Sequence, residues 1–215
     1  IKNAYQGVVV EGPSSNAQPK LSLQNCIIDN CYDAGITGVQ TAINADNCLI
    51  SNCGKNIQLL YGGVYRFTHC TDVAYSNDLI QHKQPALTVT DYVESGNAVL
   101  SADLDAMFTN CIFWGDQGTV DDEVITGQQG TGLFSIDFNH CLWKVKNQPE
   151  GVTVSGLIEN QDPSFVNTEA RKGYDFRLSE GSPALDQGAA TVLPTDLDGA
   201  PRNISTPDLG AYERQ

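Results

Sequence analysis

Apolar and polar positions alternate along this chain in a motif that returns. Two apolar residues separated by one other residue, followed one position later by Asn-Cys or His-Cys, occur five times, in residues 21–26, 43–48, 65–70, 106–111 and 136–141. Alternation with a period of two predicts a β-strand with one buried face. The first three copies recur every 22 residues, and self-similarity at a fixed period predicts a repeat architecture.

Strands this short, and this far apart in sequence, are not expected to pair as hairpins. Each repeat of about 22 residues can instead wind once around a common axis and stack on the preceding turn. The sequence therefore predicts an all-β fold, a β-solenoid. The polar residue before each motif cysteine is predicted to form a buried, stacked ladder, because Asn tolerates the left-handed conformation of a sharp corner. The ladder residues are Asn25, Asn47, His69, Asn110 and His140.

Five of the seven cysteines recur at the 22-residue period, and the other two, Cys111 and Cys141, occupy the same position of the motif as Cys26. A cysteine that returns once per repeat at one position is predicted to be a small buried apolar residue. The Cys-x4-Cys pairs at 26/31 and 48/53 lack His partners at zinc-ligand spacing, so we predict no zinc site. Stacked cysteines on adjacent coils lie within reach of a disulfide, and that alternative stays open.

The spacing of the motif predicts the domain organisation. Residues 1–155 are predicted to be coils, with earlier N-terminal coils missing because the chain begins in the middle of a repeat. Longer gaps between motif cysteines predict insertions near residues 71–105 and 113–132, and such excursions often carry function. Residues 156–215 lose the repeat and are predicted to form the last coil and an irregular C-terminal cap over its open edge.

Charge and hydropathy exclude some partners. The net charge of −14, with 12 basic residues, argues against nucleic acid and anionic membrane surfaces. No segment approaches the roughly 18 consecutive apolar residues of a membrane-spanning helix.

The insertions contain the candidate catalytic residues. Hydrolysis of a glycosidic bond needs two carboxylates on one face, and the acidic cluster on an irregular segment is Asp121, Asp122 and Glu123. A lyase needs a base beside the substrate, for which His82 and Lys83 are the candidates. For all five residues, solvated turns and loops on an acidic protein are the ordinary explanation.

Candidate binding residues are fewer. Trp114 and Trp143 follow motif cysteines, so they either line an outer groove or fill the core; Arg66 is a third candidate. We predict no metal site and no cofactor. Asp196-Leu-Asp-Gly199 resembles the opening of a calcium loop without its remaining ligands, which leaves calcium binding open.

The C-terminal motifs carry a resemblance to a known group of proteins. Gly181-Ser-Pro-Ala-Leu-Asp186, Asp196-Leu-Asp-Gly-Ala-Pro-Arg202 and Asp208-Leu-Gly-Ala-Tyr-Glu213, after stacked Asn-Cys strands, resemble secreted bacterial right-handed parallel β-helix proteins. These are pectin-lyase-like proteins of the Bacteroidetes type with a C-terminal region associated with a surface anchor. The resemblance implies a right-handed single-stranded parallel β-helix and an extracellular or cell-surface location. It does not imply an activity.

Two functions of different class follow. The first is a non-catalytic module that displays a stacked face for binding a polysaccharide, a surface glycan or a protein partner. The second is a polysaccharide-active enzyme, either a pectate-lyase-like lyase or a glycoside hydrolase, with its site on the two insertions. Convergence of acidic and basic groups in one groove favours the enzyme, and scattered solvated groups favour the binding module.

Overall fold

Short β-strands succeed one another along the chain. The computed structural model describes residues 1–116 and 120–215, so residues 117–119 of the second predicted insertion lie outside the described residues. Among the described residues the one helical segment is a 3₁₀ turn at Ala170–Lys172, and no helix is long and apolar enough to cross a membrane. The strands are β1 (Gln6–Glu11), β2 (Leu21–Gln24), β3 (Ile27–Asp29), β4 (Ala34–Asp46), β5 (Leu49–Ser51), β6 (Lys55–Thr68), β7 (Thr71–Ala74), β8 (Leu87–Thr90), β9 (Tyr92–Ser95), β10 (Ala98–Ser101), β11 (Leu104–Thr109), β12 (Ile112–Gly115), β13 (Val124–Gly127), β14 (Phe134–Asn139), β15 (Leu142–Trp143), β16 (Val152–Ser155), β17 (Ile158–Glu159), β18 (Phe165–Asn167) and β19 (Asp175–Leu178).

The strands stack into a parallel β-helix with three faces, which confirms the predicted fold class. Face A contains β3, β5, β7, β12, β15 and β17. Strands β4 and β6 bend at Gln40 and Tyr61, where φ is positive, so each contributes to two faces. Face B contains β1, β8, β13 and the first halves of β4 and β6, whereas face C contains β2, β11, β14, β16 and the second halves. In the described part of the chain, only the pairs β9–β10 and β18–β19 are antiparallel.

The interior of the helix holds rows of apolar side chains, one residue from each coil. On face C, Phe67, Phe108 and Phe138 occupy paired positions in consecutive coils. Their ring centroids lie 5.5 Å and 4.8 Å apart, and all three side chains are buried. Parallel pairing in register stacks equivalent positions of the motif, because each strand lies directly on its counterpart in the preceding coil.

The polar residue before each motif cysteine forms the corner between faces C and A. Its backbone is left-handed in all five copies, with φ of 52° at Asn25, 50° at Asn47, 51° at His69, 56° at Asn110 and 50° at His140. Because few residue types tolerate this conformation, the corner explains why Asn recurs there. The prediction that every ladder residue is buried is wrong at the two ends, where Asn25 is exposed and His140 half-buried.

The middle of the ladder is bonded from residue to residue. Asn110 Nδ2 donates to His69 Nε2 at 2.9 Å, which assigns that ring nitrogen as an acceptor. Burial and the nearby charge of Arg202 lower the pKa of His69 to about 3, so this histidine is neutral at physiological pH. His69 therefore serves as a structural member of the ladder.

The motif cysteines lie in the interior, as free thiols. Six of the seven are buried, Cys26 is half-buried, and none forms a disulfide. Burial raises the pKa of the Cys70 thiol well above its ordinary value. A thiol held in its protonated form is a poor nucleophile and metal ligand, so Cys70 acts as a packing group.

The two insertions leave the helix at defined corners. In the first, an excursion over residues 75–85 follows β7, the chain returns to face B as β8, and the β9–β10 hairpin then projects before β11. In the second, the chain leaves after β12 and returns to face B as β13, which pairs with β8. Both excursions from face A therefore emerge at the same corner, one coil apart.

The C-terminal segment lies along the outer surface of face A. Outward-facing Val73, Ile112 and Trp114 are buried against Phe176 and Tyr212 of this segment. This lateral position differs from the predicted cap over the last coil, because the outer side of face A carries the apolar surface that requires cover. The segment also reaches the ladder corner, where the N–H of residue 210 donates to the residue 110 carbonyl at 2.7 Å.

Replacing Asn47 with Ala should lower the free energy of unfolding by about 1–3 kcal/mol. Asn47 is buried; its Nδ2 donates to the Thr195 carbonyl at 2.8 Å and its Oδ1 accepts from Arg202 at 3.1 Å. Asn25→Ala is the matched control, because it puts Ala at the same left-handed corner where the side chain is exposed. Urea unfolding of both variants measures the effect, and equal losses would contradict a buried role for the ladder amide.

Candidate functional site

The three carboxylates of the predicted acidic cluster point in different directions. Asp121 lies on the surface, where its Oδ2 is 3.0 Å from Lys146 Nζ. Asp122 accepts the backbone N–H groups of Lys146 and Asn147 at 2.7 Å and 2.8 Å. Glu123 is fully buried. Acid–base hydrolysis requires carboxylates that face one another across a common space. These three carboxylates do not.

Glu123 belongs to a buried ion cluster that joins the two excursions. Its Oε2 lies 3.1 Å from His82 Nε2 and accepts the backbone N–H of Ala86 at 3.2 Å. Its Oε1 lies 3.5 Å from Lys144 Nζ. On the other side of the imidazole, His82 Nδ1 is 3.1 Å from Asp116 Oδ1. One carboxylate is therefore contacted by an imidazole, an ammonium group and a backbone amide.

The surroundings of His82 favour its protonated form. Burial acts to lower its pKa, but the hydrogen bond and charge of Glu123, with the charge of Asp116, outweigh burial and raise the pKa above its ordinary value. Both ring nitrogens are engaged by carboxylates. The arrangement fastens the 75–85 excursion to the chain after β12. The neighbouring Lys83 is exposed and lines an open cleft of about 470 Å³, which His82 and Asp116 also line.

The predicted binding residues lie apart from one another. Trp143 is buried in the core, edge-on to Phe138 at 5.0 Å between centroids. Trp114 lies between face A and the C-terminal segment. Arg66, on the outer side of face C, contacts Asp105 Oδ2 at 2.5 Å. Neither tryptophan offers a ring face to solvent, and the Arg66 guanidinium is already paired.

The segment that resembles the opening of a calcium loop, Asp196–Gly199, forms a structural turn. Asp196 is buried, with Oδ1 accepting the N–H of Ala200 at 2.8 Å and Oδ2 accepting that of Glu213 at 2.9 Å. Within residues 1–116 and 120–215, no group of three or more His, Cys, Asp or Glu side chains is positioned to hold a metal ion.

Two exposed tyrosines form an aromatic platform at the corner between faces A and B. Tyr5 and Tyr32 are 67% and 66% exposed, and their rings stack with centroids 5.8 Å apart. The stacking follows from the backbone, because the N–H groups of Tyr32 and Asp33 donate to the carbonyls of Ala4 and Tyr5 in the preceding coil. Two solvent-exposed aromatic rings of this size can stack on a planar, partly apolar ligand.

Gly54 creates a notch beside this platform. A Cβ at this position would lie 2.3 Å from the Tyr32 carbonyl oxygen, so the close approach of the two coils requires glycine. The absence of a side chain leaves a cleft of about 400 Å³ between Tyr32 and Leu79, and Leu79 is 77% exposed. We call this space the tyrosine cleft; it is lined by Tyr32, Asp33, Gly54, Lys55, Asp78, Leu79, Ile80, Gln81 and Lys83.

The charges around the tyrosine cleft balance. Two lysines, Lys55 and Lys83, line it together with two aspartates, Asp33 and Asp78. Lys55 Nζ lies 3.2 Å from Asp33 Oδ1, so one pair is already neutralised. In a chain of net charge −14, this cleft is locally neutral and rich in hydrogen-bonding groups.

Sequence reasoning missed both platform tyrosines. They are 27 residues apart, not 22, and neither belongs to the motif strands. Their contact depends on the register of β1 against β4, in which Gln6 pairs with Ala34. The sequence signal available was weak: a tyrosine directly follows Cys31, and the equivalent place after Cys53 is taken by Gly54.

Comparisons with known proteins add little at the level of sequence. No family model matches the chain, and no curated protein matches it. Among solved structures the chain is similar to the pectate lyase Pel9A, with a TM-score of 0.37 and 13% sequence identity. The match covers 90% of this chain and 65% of that chain.

Proposed function

We propose that this protein is a non-catalytic, secreted or cell-surface module that binds glycans through the tyrosine cleft. The observation that carries the proposal is the exposed Tyr5–Tyr32 stack beside a cleft of about 400 Å³. A pyranose ring has a flat face of C–H groups and a rim of hydroxyls. The ring of Tyr32 and the side chain of Leu79 suit the face, whereas Gln81 and the paired charges suit the rim.

The placement of ionisable groups supports a binding role over a catalytic one. Asp121 and Asp122 are directed to Lys146 and Asn147, away from Glu123. His82 is engaged by carboxylates on both sides and is buried, so it is poorly placed to take a proton from a substrate.

Local neutrality favours an uncharged sugar. A polyanionic glycan approaching this acidic chain meets repulsion from a net charge of −14, while a neutral glycan does not. The glycan class proposed is therefore a neutral polysaccharide or oligosaccharide.

Affinity electrophoresis in gels that contain neutral or acidic polysaccharides tests the proposal. Wild type and Tyr32→Phe should be retarded by at least one neutral polysaccharide, because both retain the ring. Tyr32→Ala should bind about tenfold or more weakly, as expected when an exposed aromatic anchor is removed. Its melting midpoint should match that of wild type, since the side chain is 66% exposed. Equal retardation of Tyr32→Ala and wild type would refute binding at this cleft.

The same polysaccharides, incubated with the protein and Ca²⁺, separate binding from turnover. We expect neither new reducing ends nor ultraviolet absorbance from unsaturated uronates. Reducing ends with absorbance would establish a lyase and direct attention to Lys83 and Arg66. Reducing ends without absorbance would establish a hydrolase that uses the acidic residues of the second insertion. Either result would replace the binding module with the enzyme alternative.

A further inference from the structure

A second concave surface lies on the opposite side of face B, at its corner with face C. The loop between β1 and β2 overhangs the bend of β4, enclosing a groove of about 580 Å³. We call it the overhung groove; its lining residues include Gln18 of the loop, Gln40, Thr41 and Asn44 of β4, and Val64 of β6. Asp103 is its one charged lining residue among those described.

The overhanging loop is fixed at both ends. The N–H of Gly12 donates to the Val39 carbonyl and the N–H of Lys20 donates to the Ala42 carbonyl, each at 2.9 Å. Inside the loop, the N–H of Gln18 donates to Asn16 Oδ1 at 2.8 Å. The groove is thus a preformed feature of the first coils, and a preformed site avoids the entropic cost of ordering on binding.

The backbone at the floor of the groove is strained. Gln40 has φ of 46° and Tyr61, at the same bend of the next coil, has φ of 59°. The other non-glycine residues with positive φ are Asn, His, Asp and Ser, most of which tolerate this region better than Gln or Tyr. Strained residues are frequent at functional sites, and of these two residues Gln40 lines the groove.

The side chains that face the groove include two unused amides. Alternation along β4 turns Thr41 inward with Ile43 and Ala45, and all three are buried. Gln40 and Asn44 are less buried and line the groove. No hydrogen bond among the described residues uses the side-chain amides of Gln40 or Asn44, each of which offers donors and an acceptor.

We propose that the overhung groove is a second carbohydrate site, which takes a stretch of neutral glycan chain. Amide side chains match sugar hydroxyls, and Val64, which is 46% exposed, gives an apolar floor for C–H groups. The one carboxylate, Asp103, disfavours an anionic chain. This site does not depend on the proposed function of the tyrosine cleft. Where both sites bind one polymer, avidity exceeds the affinity of either site alone.

Isothermal titration with cellohexaose, xylohexaose, mannohexaose and maltohexaose tests the groove in a Tyr32→Ala background. The background variant should still bind at least one hexaose. Adding Gln40→Gly should weaken that binding about tenfold or more through loss of the amide, while the melting midpoint stays equal or rises because glycine relieves the strain. Gln40→Asn keeps an amide in a residue suited to positive φ and should bind nearly as well as the background. Val64→Arg should block the groove without touching the bend.

Thr153→Ala is the control, because Thr153 is exposed on the same outer side of face C, in the last coil. It should leave hexaose binding unchanged. Loss of all hexaose binding in Tyr32→Ala alone would overturn the groove proposal and leave the tyrosine cleft standing. Unchanged binding in both Gln40→Gly and Val64→Arg would also overturn it. Binding that survives Tyr32→Ala in full, but is lost in Val64→Arg, would sustain the groove and refute the tyrosine cleft.

Discussion

Replacing Arg202 with Met should lower the free energy of unfolding by about 3–5 kcal/mol, the usual cost of breaking a buried ion pair by removing one partner. The Arg202 side chain is fully buried, with Nη1 3.1 Å from Glu213 Oε2. Its Nη2 donates to Asn47 Oδ1 at 3.1 Å and to the Ala211 carbonyl at 3.2 Å. The variant therefore leaves the nearly buried Glu213 carboxylate without its ion-pair partner and the Asn47 side-chain oxygen without its donor.

Two further variants separate the loss of the Arg202–Glu213 ion pair from a general effect of removing positive charge. Arg214→Met removes an exposed arginine from the same segment and should change the free energy of unfolding by less than about 0.5 kcal/mol. Arg202→Met combined with Glu213→Gln should recover part of the loss, because the stranded carboxylate is then neutral. Urea unfolding measures the stability of each variant, and limited proteolysis measures how firmly the C-terminal segment is held. Identical unfolding of Arg202→Met and Arg214→Met would show that this ion pair does not hold the segment on the helix.

The position of the C-terminal segment was not predictable from its own motifs. Its predicted role as a cap rests on the loss of the repeat after residue 155, and that loss says nothing about where the segment lies. A better signal is in face A, where Leu49-Ile50 and Ile112-Phe113-Trp114 are consecutive apolar residues. Consecutive apolar residues in a strand indicate burial on both sides, and a second layer must therefore cover face A.

The corners were predictable because their physics is local. A polar residue with a tolerance for positive φ, followed by a small apolar residue, is required at each turn of the helix regardless of its surroundings. Asn47 and Asn110 satisfy that requirement within a six-residue window. Their burial was not local information, since it depends on the C-terminal segment that arrives from far along the chain.

The ion cluster between the excursions needed a comparison that spans coils. His82 and Glu123 are 41 residues apart, the same separation as Cys70 and Cys111. Residues separated by one full coil lie close together in a solenoid, so this coincidence was a usable signal. The inward direction of the Glu123 side chain was not predictable from the sequence, because an acidic run such as 121–123 normally faces solvent. Likewise, the tyrosine platform depends on the register of the first coil, which no motif marks.

Replacing Glu123 with Gln should lower the free energy of unfolding by about 3–5 kcal/mol, since Lys144 and the protonated form of His82 lose their buried counter-charge. Glu123 is fully buried and contacts both His82 and Lys144. Asp121→Asn is the matched control two residues away, because its pair with Lys146 is exposed, and it should cost less than about 1 kcal/mol. Chemical unfolding at constant pH compares the two variants.

The pH dependence gives a second, independent readout of the same cluster. The pKa of His82 is raised in the folded protein, where the Glu123 and Asp116 carboxylates outweigh burial. A base with a raised pKa binds its proton more tightly when folded, so its contribution is complete below about pH 6.5 and is lost as pH rises through the folded value. Glu123→Gln should remove most of this loss of stability with rising pH. It should also lower the His82 pKa, which the imidazole resonances report in an NMR titration. A His82 that titrates alike in both proteins, with equal stabilities, would mean that Glu123 does not bind the two excursions together.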